Sequence, residues 1–132
     1  MKDHGVFRLK LQNNILTVEG YGPWNKEAMK ISFANARLML KLREKKKWGI
    51  IAVIHGEPVH TPDAAELLVE QIKEEKRHGR IATAFILTHS TSPEFGKLHL
   101  SDLCAKADEA FEFFNNVTDA DIWMKSKLSD FY

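Results

Sequence analysis

Cysteine is nearly absent: Cys104 is the only one in 132 residues. No internal disulfide can form, which fits a reducing compartment. An excess of charge of either sign is missing too, with 19 Lys and Arg against 18 Asp and Glu. The net charge of +1 is no footprint for nucleic acid, which calls for a strongly basic surface. It also gives no electrostatic reason for membrane binding. No apolar run reaches the roughly 20 residues of a membrane span. The opening "MKDHGVFRLKLQ" alternates and lacks the apolar core of a signal peptide. The expectation is a cytoplasmic protein that spans no membrane. There is no low-complexity segment, internal repeat or Pro/Gly-rich linker, so residues 1–132 read as one domain. Catalytic signatures are missing as well. There is no Gly-x-Ser-x-Gly, no Gly-rich phosphate loop and no helix with paired metal-binding histidines.

What remains is an ordinary apolar content of 44%, enough for a core. "VFRLKLQ" (6–12) and "ILTVEGYG" (15–22) alternate apolar and polar residues. Asn13-Asn14 between them suits a two-residue turn, so an antiparallel hairpin with one buried face is predicted. The period then changes to helical. Ile31, Ala34, Leu38 and Leu42 share a face, broadened by Met29, Phe33, Ala36 and Leu40, with Asn25 as N-cap. Arg43, Lys45, Lys46 and Lys47 at its end read as a solvated face that complements the helix dipole. "WGIIAVI" (48–54) and "RIATAFILT" (80–88) lack alternation and read as strands covered on both faces. Helices are predicted over 61–79, over 92–107 with a first turn weakened by Gly96 so that the helix proper starts later, and over 118–128 with Thr118 and Asp121 as a near capping box. "AFEFF" (110–114) is a short strand. The order is β β α β α β α β α, an α/β layer protein with a mixed sheet.

This order, with the opening hairpin "VFRLKLQNNILTVEGYG", the pair "ARLMLKLREKKKWGIIAVI", the stretch "TPDAAELLVEQIKEEKRHGRIATAFIL" and the tail "FEFFNNVTDADIWMKSKL", resembles the STAS family. It is most similar to its small stand-alone bacterial SpoIIAA-like members. The resemblance spans residues 6–128 and implies a mixed sheet with an N-terminal hairpin, then βα units with crossover helices. It implies a non-enzymatic regulatory or binding module that acts through a protein partner or a small ligand. The superfamily is also linked to lipids and nucleotides, so the alternative is a cytosolic carrier of a lipid or other small hydrophobic molecule. Classical members carry an Asp-Ser-Ser-Gly type motif whose serine is phosphorylated. The matching "VHTPDAAEL" has no serine, and Thr61 is its nearest hydroxyl. The family's phosphoacceptor does not carry over.

The candidate site residues are His55, Glu57, His60, Thr61, His89 and Ser90. Thr61 before Pro62-Asp63 is what a helix start wants, its hydroxyl capping an early N–H. A phosphate there would be tolerated by the helix dipole, so Thr61 is also a candidate phosphoacceptor. His55, His60 and His89 follow buried strands and would lie along the carboxyl edge of a parallel sheet, where open α/β folds bind ligands. Glu57 could join them. A metal needs converging ligands, and His-x4-His on a loop is no metal motif. No metal or other cofactor is therefore assigned. "THSTSPEF" (88–95) could cradle an anion with its hydroxyls, or Ser92 could simply cap a helix with Pro93 at N1. Met29, Phe33 and Leu40 could line an apolar cleft, though such stripes are usually core. Phe131 and Tyr132 lie beyond the last stripe and could pack on a partner chain, as in a homodimer.

Overall fold

A computed structural model describes residues 5–32 and 41–129. Strands β1 (Gly5–Gln12) and β2 (Ile15–Tyr21) pair antiparallel, with Leu9 opposite Val18 and Leu11 opposite Leu16. Asn13 takes a φ of 57° in the turn, a conformation asparagine tolerates better than most residues. Helix α1 (Lys26–Ser32) starts where Asn25 Oδ1 accepts the Ala28 N–H at 2.8 Å, as expected of its cap. The predicted stripe positions Phe33, Ala34, Ala36, Leu38 and Leu40 fall outside the described residues, as do Phe131 and Tyr132. Then follow β3 (Trp48–His55), α2 (Pro62–Lys76), β4 (Arg80–Thr88), α3 (Pro93–Lys106), β5 (Ala110–Phe114) and α4 (Val117–Ser129).

The strands form one sheet in the order β1-β2-β3-β4-β5. β2 to β5 run parallel, and only β1 is reversed. The fold is therefore α/β with a mixed sheet. Side-chain alternation splits β3 between two cores. Ile50, Ala52 and Ile54 join Leu16 and Phe85 beneath α1, α2 and α3, which contribute Met29, Ala64, Leu100 and Cys104. Ile51 and Val53 point the other way, with Ile15, Ala84 and Ile86, against Ala120, Met124 and Leu128 of α4. Every β3 residue up to His55 is buried, as its lack of alternation predicted. Gly49 permits the approach of α4, since a Cβ there would lie 2.2 Å from Met124 Sδ. Among the described residues no helix is long and apolar enough to cross a membrane.

Three local expectations change. Thr61 and Ser92 stand at helix N-caps, each followed by proline, but neither hydroxyl accepts a capping hydrogen bond. Instead Thr61 Oγ1 donates to Asp63 Oδ1 at 2.7 Å. The box that opens α4 is Asn116 with Asp119, not Thr118 with Asp121: Asn116 Oδ1 accepts the Asp119 N–H at 2.8 Å. α3 does not start late. It opens at Pro93 with Gly96 inside it, because a Cβ at Gly96 would come within 2.4 Å of Pro58 Cγ. The glycine costs helix propensity and in return seats α3 on the loop after β3.

Candidate functional site

The parallel pairing of β3 with β4 places His55 beside Thr88, and the loops that follow both strands lie side by side. His55 is held at both ring nitrogens. Nε2 lies 2.7 Å from Glu19 Oε2 on β2, and Nδ1 lies 2.5 Å from Thr88 Oγ1 on β4. A carboxylate only accepts, so Nε2 carries a proton; in the tautomer that holds this proton alone, Nδ1 accepts from the hydroxyl. The rings of Tyr21 and His89 lie 5.0 and 6.4 Å from that of His55. His89 is exposed and takes a φ of 61°. This hydroxyl–imidazole–carboxylate row ties the ends of β2, β3 and β4 on the face that α4 covers further along.

Glu57 and Ser90 are also brought together. Glu57 accepts from the Thr91 N–H at 2.8 Å, the Thr91 hydroxyl at 2.9 Å and the Ser90 hydroxyl at 3.0 Å. The Thr91 backbone N–H, then the two hydroxyls, hold its carboxyl below the ordinary range. The hydroxyl-rich loop is thus an anion cradle whose anion is the chain's own Glu57. Thr61 is exposed, and its Oγ1 already faces Asp63. A phosphoryl group there would meet that carboxylate, an electrostatic cost that opposes the benefit of the helix start.

His60 parts company with His55 and His89. It turns to the opposite side of the sheet and is 8% exposed. Its ring stacks between Trp24, at 5.8 Å, and His99 of α3, at 5.3 Å. His99 Nε2 accepts the His60 backbone N–H at 3.0 Å. Burial, then the neighbouring His99, pushes the His60 pKa down to about 4. Burial also lowers that of His99. The grouping of His55, His60, His89 and Glu57 is therefore not one site. Among the described residues no three His, Cys, Asp or Glu side chains are placed to hold a metal.

A cavity of about 160 Å³ lies between the sheet and helices α1, α2 and α3. Leu16, Val18, Ile54, Phe85 and Leu100 line it, with Trp24 and His60 among its walls. Met29 lines it as expected, whereas Phe33 and Leu40 lie outside the described residues. Its polar lining comes from Gln71, Glu75, Arg80 and Thr83. These belong to a buried network that reading along the chain missed. Arg80 donates from Nε to Glu109 at 2.7 Å, from Nη1 to Glu75 at 2.5 Å and from Nη2 to Thr83 at 2.6 Å. Lys76 Nζ lies 3.3 Å from Glu109. Burial alone would raise the Glu109 carboxyl, but Arg80, Thr83 and Lys76 outweigh it and hold it low. Nearby Cys104 is a buried, inert thiol, pushed up to about 12 mainly by burial.

Compared with family models, curated proteins and solved structures, the chain matches none.

Proposed function

We propose that the chain is a STAS-like, SpoIIAA-like module of the bacterial cytoplasm that binds a small apolar ligand and catalyses no reaction. The observation that carries this reading is the cavity, whose walls are mainly aliphatic and aromatic. Its 160 Å³ compares with the roughly 150 Å³ of an apolar protein cavity that binds benzene. The volume suits a ring-sized molecule or one apolar segment better than a whole lipid. The fold-level part of the reading draws support from the hairpin-first sheet order and the closing helix on the opposite face. The non-catalytic part draws support from the separation of His60 from His55 and His89 and from Glu57 filling its own loop. A protein partner is the second reading, favoured by Phe95 and Leu98 on α3, which are 60% and 70% exposed.

Benzene is the first probe. At ten times its Kd it should stabilise the fold by about 1.4 kcal/mol, read as a melting shift of about 4 °C. Ala52 is on the cavity wall. Ala52→Leu should remove the shift while the variant stays folded. NMR should place the perturbation at Ala52, Ile54 and Phe85. If saturating benzene moves neither the melting temperature nor those resonances, the ligand reading falls.

A further inference from the structure

The near-neutral net charge hides a strong segregation. Residues 41–47 and 73–80 carry nine Lys and Arg against three Glu, in a chain with 19 against 18 overall; Arg80 is buried against Glu75 and Glu109, which leaves eight basic residues for the surface of this end. The structure stitches these two segments into one end of the molecule. The Trp48 N–H donates to Gly79 O at 3.0 Å, its indole Nε1 donates to His78 O at 2.9 Å, and Arg43 lies 3.7 Å from Glu74. Among the described residues Glu74 is the one carboxylate paired with Arg43, Arg77 and His78. Lys41, Lys45 and Lys46 pair with no carboxylate among the described residues. At the opposite end, the loops and helix starts over 22–27, 55–63, 88–94 and 115–121 contain Glu27, Glu57, Asp63, Glu94, Asp119 and Asp121 against one basic residue, Lys26, which faces Asp63. The molecule is electrically polar along its strands.

We propose that this basic end docks on the anionic surface of a lipid bilayer, with the acidic loops facing away. Charge complementarity supplies the attraction, since clustered Lys and Arg are drawn to anionic headgroups. The opposite charge of the far end would orient the molecule on that surface. Nucleic acid is the other polyanion. Single strands want exposed aromatics for base stacking, yet the one aromatic bordering these segments, Trp48, is 0% exposed. The choice of a bilayer also rests on the apolar-ligand reading, because apolar molecules concentrate in membranes. Gln71, Glu75 and Arg80, on the polar wall of the cavity, lie within or beside the second basic segment.

The test is co-sedimentation of the full chain with phosphatidylcholine vesicles, with and without phosphatidylglycerol. At about 0.1 M salt, where the Debye length is about 10 Å, only the anionic vesicles should retain the protein. At about 1 M salt, where it is about 3 Å, they should release it. Each basic residue near the surface is worth about five-fold in partitioning. The combined variant Lys41→Gln, Lys45→Gln, Lys46→Gln, Arg77→Gln should therefore lose about 100-fold or more, with an unchanged circular dichroism spectrum. Equal binding to both vesicle types, no loss in the variant, or tighter binding to a DNA duplex at the same salt each overturns the proposal. Charge-dependent vesicle binding without any benzene shift would uphold the docking surface and defeat the ligand reading alone. Ala52→Leu should dock like the wild type.

Discussion

Replacing Arg80 with methionine is expected to cost about 3–5 kcal/mol in urea unfolding at pH 7, because it strands buried carboxylates without their cation. Glu75 and Glu109 are 7% and 5% exposed, and both reach Arg80. Lys76 stays near Glu109 at 3.3 Å but is itself partly exposed, so it offsets little. The loss is large beside the 5–15 kcal/mol of a typical domain. A merely crowded core would respond differently to the next step. Adding Glu75→Leu and Glu109→Leu to Arg80→Met should recover most of the stability, since buried ion clusters often exchange for apolar groups without loss. If the single variant unfolds within about 1 kcal/mol of wild type, the network is not holding the fold.

The pH dependence gives a second readout of the same network. The Glu109 carboxyl is held low in the fold, against burial, by Arg80, Thr83 and Lys76. A depressed carboxyl contributes stability that is present above its unfolded pKa of about 4.3 and is lost as pH falls through the folded value. In Arg80→Met the balance tips to burial, which favours the protonated acid. The sign of this network's contribution then reverses: measured against wild type at each pH, so that the His60 loss common to both cancels, the destabilisation by Arg80→Met should shrink as pH falls from 7 towards 4.

The network also marks where reading along the chain stopped. Strand β5 and the buried strand β3 were legible, because unbroken apolar runs and turn residues are local signals. Glu75 and Arg80 entered the sequence reading only as parts of the helix predicted over 61–79 and the strand predicted over 80–88. Nothing local distinguishes Glu75 from Glu74. Burial comes from the packing of α2 against β4 and the turn at Glu109, a partner 29 residues from Arg80. The candidate site fared similarly. At the carboxyl edge Glu57 meets Ser90, and His55 meets Thr88, a residue that was not among the candidates. His60 was grouped with His55 by proximity in sequence, but the chain after β3 carries it to the other side of the sheet. Its real neighbour, His99, is 39 residues away on α3. Gly96, taken for a flaw in that helix, was the available signal, since it marks where α3 closes on Pro58.

His60 should make the fold acid-sensitive well above the carboxylate range. Its pKa is pushed from 6.5 to about 4 by burial and by His99. A histidine lowered in the fold is a proton acceptor mainly when unfolded. Its contribution is therefore intact above about pH 6.5 and is lost as pH falls from about 6.5 to about 4. At 1.36 kcal/mol per unit, the full span is about 3 kcal/mol. His99 titrates in the same direction, and protonation of its Nε2 would abolish the acceptor for the His60 N–H. Urea unfolding at pH 7, 6 and 5 should show a steady loss. His60→Phe keeps an aromatic ring against Trp24 without a titrating group, and should flatten most of that slope. The slope left in this variant should come from His99. NMR of wild type should find the His60 ring neutral at pH 5.5, one and a half units above its folded pKa of about 4. A ring titrating near 6.5, with the same slope in His60→Phe, would mean that the stack does not exclude water. Because His60 also walls the cavity, protonation would place a charge against an apolar ligand. Benzene affinity should therefore weaken towards pH 4 in wild type and hold steady in His60→Phe.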